Sequence, residues 1–183
     1  GVGVGAAARA ALALGAAAAV LLGCATERAP TFEIVEATLV EAGGEAAVVR
    51  FVVRGENRNE FELPLRGVDY SVSVSGARLF GGTREAQVTL PRFGVQFFEL
   101  PAAIRAEEVM ARVAEYDGEP LGGWLIGRPA SVRGRVVYES EGSIAEVLFD
   151  TKLRVPEASF AGEAVIEAGE AVIEDGSAGV GGE

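Results

Sequence analysis

The chain of 183 residues contains no histidine. The commonest general base near neutral pH and the commonest metal ligand are therefore missing. That excludes Ser-His and Cys-His nucleophilic pairs and any zinc site built on imidazole. The single cysteine, Cys24, cannot form an internal disulfide. A body of this size needs none, since a domain of roughly 100–200 residues buries about two thirds of its unfolded surface. Lysine is nearly absent as well: Lys152 is the only one, so the 16 basic residues are almost all arginine, and they are scattered singly. Against 27 acids they leave a net charge of −11. Without clustered cations to displace counterions, nucleic acid is not an expected partner. Nor does the chain contain the run of about 20 strongly apolar residues that a spanning helix needs. No cofactor is expected.

What is present begins with Arg9 ahead of an alanine-rich apolar segment, Ala10 to Leu22. A cation followed by a short apolar run is the pattern of a secretory leader. Directly after it, Leu21-Leu22-Gly23-Cys24 resembles the bacterial lipobox, in which small residues precede a cysteine that is lipidated and becomes the mature N-terminus. The expectation is a lipoprotein signal peptide over 1–23, lipidation at Cys24 and a polar tether over 24–30. A plain leader, or a buried alanine-rich helix with an incidental cysteine, is the alternative. The resemblance implies a membrane partner reached through lipid on Cys24, on the periplasmic side. Ala25, where Asp would be a retention signal, implies sorting to the outer membrane. Two or more acyl chains, at about 0.8 kcal/mol per buried methylene, make such an anchor stable. Losing 1–23 removes Arg9 and no acid, which takes the net charge to −12.

From Thr31 the apolar period becomes two, the signature of strands. Extended segments are expected at 32–40 and 47–54, and most clearly at 68–75, where Val68, Tyr70, Val72 and Val74 alternate with Asp69, Ser71 and Ser73. Further strands are expected at 85–90, 95–100, 131–139 and 144–155, with Pro91, Pro101 and Pro156 at their ends, where a missing N–H does little harm. Residues 102–116 loosen to helical spacing around Ile104, Val109 and Val113, and Gly118, Pro120, Gly122 and Gly123 end that helix. About seven strands and one short helix give an all-β, antiparallel sandwich of the immunoglobulin or fibronectin III kind, spanning 31–161. Beyond it, Ala161-Gly-Glu-Ala-Val-Ile-Glu167 repeats unchanged as Ala168-Gly-Glu-Ala-Val-Ile-Glu174. With six acids and no base, 162–183 is expected to be an acidic low-complexity tail.

Val49-Arg-Phe-Val-Val53 precedes Asn57-Arg58-Asn59, then Leu63-Pro64-Leu65, then Tyr70-Ser-Val72-Ser-Val74-Ser-Gly76, with Leu90-Pro91 and Val132-Arg-Gly134-Arg-Val136 further on. In order and spacing this resembles the LEA-2 domain, also called the WHy (water stress and hypersensitive response) domain. Arg58 stands where that family's Asn-Pro-Asn turn has its proline, although the outer asparagines can still close a turn. The resemblance implies a sandwich fold, a role in desiccation or envelope stress, and no known reaction.

Several other residues carry candidate chemistry. Asn57 and Asn59 could contact a partner, but turn chemistry accounts for them. Asp117-Gly118-Glu119 could offer oxygen ligands to calcium, though a third spaced acid is lacking. Glu107, Glu108 and Glu115 lie at helical spacing and read as an exposed face. Trp124 could be a contact residue or could anchor the helix to the core. Lys152 with a serine could in principle form a dyad. The function expected is that of a non-enzymatic, lipid-anchored protective protein. The alternatives are a scaffold lipoprotein holding a specific envelope protein, and an enzyme working through two convergent carboxylates.

Overall fold

The computed structural model describes residues 27–139 and 156–169. The expected leader, Cys24, the 144–155 strand, Lys152 and the second copy of the repeat beyond Gly169 lie outside the described residues. Seven strands and two short helices follow in chain order: β1 Thr31–Ala42, β2 Ala46–Glu56, β3 Leu63–Val74, β4 Ala77–Leu90, β5 Val95–Arg105, α1 Ala106–Arg112, α2 Leu121–Leu125, β6 Pro129–Tyr138 and β7 Glu157–Ala168.

All seven strands belong to one sheet, in the spatial order β4-β3-β6-β7-β1-β2-β5. Its two edge strands, β4 and β5, curl toward one another, so that the sheet is nearly closed into a barrel. The expected pair of separate layers is thus replaced by a continuous wall. Strand β7 joins its two halves: Glu157 to Val165 pair antiparallel with β6, and Ile166 to Ala168 pair parallel with β1. That parallel pair departs from the purely antiparallel expectation, whereas the β1–β2, β2–β5, β3–β4 and β3–β6 pairs are antiparallel.

Alternation explains the wall. Along β2, Ala47, Val49, Phe51 and Val53 are buried while their neighbours are half-buried, and β3 repeats the pattern through Val68, Tyr70, Val72 and Val74. These inward side chains fill a single core with Leu39, Leu100, Ile104, Val132 and Val136. Tyr70 donates its hydroxyl hydrogen to the Pro101 carbonyl of β5, which ties β3 to the far edge strand of the wall. Burial holds the Tyr70 phenol above its ordinary pKa, an effect partly offset by Arg84. Gly134 on β6 is required where Phe160 of β7 presses on the core. A Cβ there would lie 2.5 Å from the Phe160 ring and 2.8 Å from the Asp69 carbonyl oxygen. Gly134→Ala is expected to cost about 2 kcal/mol through overpacking, measured as a lower urea midpoint at unchanged slope.

Three expectations change. The first copy of the repeat is not tail: 161–167 lies within β7, with Ile166 fully buried. Pro101 sits inside β5 and not at a strand end, a position tolerated because β5 is an edge strand. There are also two helices. The turn-rich stretch at Gly122 and Gly123 forms α2, because Gly122 lets the helix approach β1 so closely that a Cβ would meet that of Ala42 at 2.7 Å.

Candidate functional site

The Asn57-Arg58-Asn59 turn leaves β2 at one end of the barrel, and both asparagines are buried. Asn57 Nδ2 donates to the carbonyls of Phe61 at 2.7 Å, Pro91 at 3.2 Å and Leu90 at 3.4 Å. Its Oδ1 accepts from both the backbone N–H and the Nδ2 of Asn59, each at 2.9 Å. Asn59 in turn grips the tether, donating from Nδ2 to the Arg28 carbonyl and accepting from the Arg28 N–H, both at 2.8 Å. The backbone completes the clamp: Asn57 N–H donates to Gly94 and Phe93 N–H to Asn59, both at 2.9 Å. One short turn therefore fastens the tether, the end of β2, the start of β3 and the β4–β5 hairpin together.

Arg58, between the two asparagines, points into solvent and pairs with Glu56 at 2.8 Å. The hydrogen bond from Arg58, and then that from Arg54, holds the Glu56 carboxyl below its ordinary range. Exposed pairs of this kind are worth about 0–1 kcal/mol. Arg58→Ala is accordingly expected to move the unfolding midpoint hardly at all.

A second feature is the seam between β4 and β5, whose facing edges make no ladder with each other. Two shallow grooves of about 470 and 480 Å³ run along it. One is lined by Arg78, Arg105 and Arg112 with Glu108, the other by Arg84, Glu85 and Glu99 beside Phe98 and Leu100. Helix α1 covers one end, where Arg112 Nη1 donates to the Arg78 carbonyl of β4 at 2.9 Å while Arg112 Nη2 pairs with Glu108 at 2.7 Å. Sequence reasoning missed the seam because its arginines come from separate elements and show no local pattern.

The other candidates separate. Asp117 and Glu119 close a turn on themselves: the Glu119 N–H donates to Asp117 Oδ1 at 3.3 Å, and Gly118 takes a φ of +88°. Among the described residues no three Asp, Glu or Cys gather as a metal site would require. Trp124 is buried in α2, edge-on to Tyr116 with ring centroids 5.3 Å apart and under the Arg128 guanidinium at 4.3 Å. It anchors the helix. Glu107 and Glu108 pair with Arg105 and Arg112 on the exposed side of α1. Among the described residues no helix is long and apolar enough to cross a membrane.

The domain is thus walled by β-strands, and its buried asparagine turn binds the protein's own backbone. The chain is a member of the LEA-2 family, described as late embryogenesis abundant protein, whose model matches residues 52–158. In fold it is similar to a protein of Arabidopsis thaliana solved in solution, with 9% identity, 80% of this chain and 89% of the other covered, and a TM-score of 0.50. It is also similar to a crystallised protein of Archaeoglobus fulgidus, with 12% identity, 73% and 94% coverage and a TM-score of 0.46. No curated protein matches significantly.

Proposed function

We propose that the chain acts as a non-enzymatic LEA-2 protein, held to a bacterial membrane by lipid on Cys24 and protecting the envelope during water loss or related stress. The observation that carries this reading is where the buried polar groups point. Thr38, Asn57 and Asn59 are buried polar residues among the described ones, and each is bonded within the protein, Thr38 to Glu36 at 2.5 Å and the asparagines within their clamp. Two further buried nitrogens, Arg50 Nε and Trp124 Nε1, make no hydrogen bond, but they belong to a guanidinium paired with Glu99 and to a ring packed under Arg128. A catalytic centre needs polar groups aimed at a substrate. Here the bonded ones are taken up by the protein's own groups, the asparagines by backbone and by each other and Thr38 by the Glu36 carboxylate, and contact with the surroundings falls to loops and strand edges.

Fatty-acid labelling tests the anchor. Label is expected on the wild-type protein and not on Cys24→Ser, and label retained by the mutant refutes the assignment. Survival after drying and rehydration tests the role, since a deletion strain should die and leak more than its parent.

The open β4–β5 seam favours a second reading, in which the same anchored domain holds one specific envelope protein by strand pairing. Crosslinking in intact cells separates the two. A single stoichiometric partner supports the scaffold, and many weak ones support protection.

A further inference from the structure

Phe93, at the tip of the β4–β5 hairpin, is 71% exposed and has a φ of +48°. A residue with a Cβ adopts that left-handed conformation reluctantly, and glycine adopts it freely. Packing does not explain an aromatic side chain there, because most of its surface faces water. The turn is nonetheless firmly held: Phe93 N–H donates to Asn59 at 2.9 Å, and Gly94 N–H donates to Pro91 at 3.1 Å. A bulky apolar side chain kept in a disfavoured conformation by a rigid frame points to function.

The frame also fixes its location. Asn59, which accepts from Phe93, is the residue that grips Arg28 through two hydrogen bonds. Arg28 lies four residues after Cys24, a span of at most about 14 Å when fully extended. Lipid on Cys24 would therefore hold the Arg28–Asn59–Phe93 chain of bonds within one short tether of the bilayer.

We infer that Phe93 is a membrane-interface wedge: it enters the headgroup region of the bilayer that carries Cys24 and sets the domain upright, with the clamp end down and the β1–β2 turn away. The inference rests on the proposed lipid anchor. Phe97, 54% exposed near the start of β5, widens the apolar contact. Exposed charges at this end nearly balance, with Arg28, Arg58 and Arg92 against Glu27, Glu60 and Glu62. Insertion therefore leans on the aromatic ring and depends little on anionic lipid.

The test uses full-length acylated protein recovered from a lipoprotein-processing bacterium and placed in vesicles of phosphatidylethanolamine and phosphatidylglycerol with brominated acyl chains. Phe93→Trp reports from the clamp end. Gly44→Trp reports from the far end, where a side chain meets nothing within 4 Å. Wild type, whose Trp124 is buried, sets the background. Quenching several-fold stronger at position 93 than at 44, and little changed when phosphatidylglycerol is left out, is expected. Equal, weak quenching at both positions in protein that floats with the vesicles overturns the wedge and leaves the anchor standing. Protein that emerges without acyl chains overturns the anchor, and the wedge with it. Phe93→Gly adds a second readout: its folded stability should hold or rise as the turn relaxes, while vesicle-bound protein loses its fixed orientation. Retained orientation in that variant also overturns the proposal.

Discussion

A chain ended at Phe160 is expected to be largely unfolded, whereas a chain lacking one seven-residue copy of the repeat folds normally. The two copies are identical, so removing either leaves the same product, with Ala161 to Glu167 in place and Asp175 following. Only Ala168 of β7 changes, a substitution expected to cost less than about 1 kcal/mol. Ending at Phe160 removes the residues that pair with Pro129 to Arg133 of β6 and with Ala37 to Leu39 of β1. It also removes Ile166, which is fully buried. Loss of a buried isoleucine costs about 2–5 kcal/mol, and the strand hydrogen bonds add about 0.5–1.5 kcal/mol each. Together these approach the total stability of an ordinary domain, about 5–15 kcal/mol. Circular dichroism and urea titration of the two soluble chains, each starting at Ala25, check the contrast. Equal stability would mean that β7 contributes nothing beyond Phe160.

Asn57→Ala is the second large effect. The substitution removes the side-chain donor to the Phe61, Leu90 and Pro91 carbonyls, of which Pro91 keeps the Gly94 N–H, and leaves two Asn59 donors without their acceptor. An unsatisfied buried group costs about 1–3 kcal/mol, and these share one network, so the expected loss is about 3–4 kcal/mol. Asn57→Asp makes the test sharper. It keeps the acceptor for Asn59 but turns a carboxylate toward three carbonyls, so it should be worse than alanine at neutral pH. Burial among acceptors raises the folded pKa of that carboxyl, and a protonated carboxyl can donate. The variant should therefore recover stability as the solution is acidified through that raised value. Urea midpoints across pH measure it, and alanine, with nothing to titrate, provides the baseline.

The sequence disclosed most where one side of a strand faces water. Along β3, serines alternating with valines left little choice of register, and the same alternation marked β2 and β6. It disclosed least where an element's reason lies elsewhere in the chain. The first half of β4 carries Arg78, Gly81, Gly82, Thr83 and Arg84, which lack a period because this edge strand is exposed over much of its length. Helix α2 was hidden by glycines whose purpose, close approach to Ala42, is visible only in space. The second half of β7 looked like low complexity because a second copy follows it, yet Ile166 is fully buried. The asparagine turn was half legible. Its local chemistry could be read from Asn57 and Asn59, but its hold on Arg28, Pro91 and Gly94 spans more than thirty residues in either direction.

The parallel pairing of Ala37 with Ile166 has a consequence for how the molecule comes into being. Among the described strands the first and the last lie side by side, so the halves cannot be joined until synthesis has passed residue 168. Contacts so distant along a chain are slow to form. A nascent molecule thus stays open while residues 31–168 are made, with β1 waiting for β7.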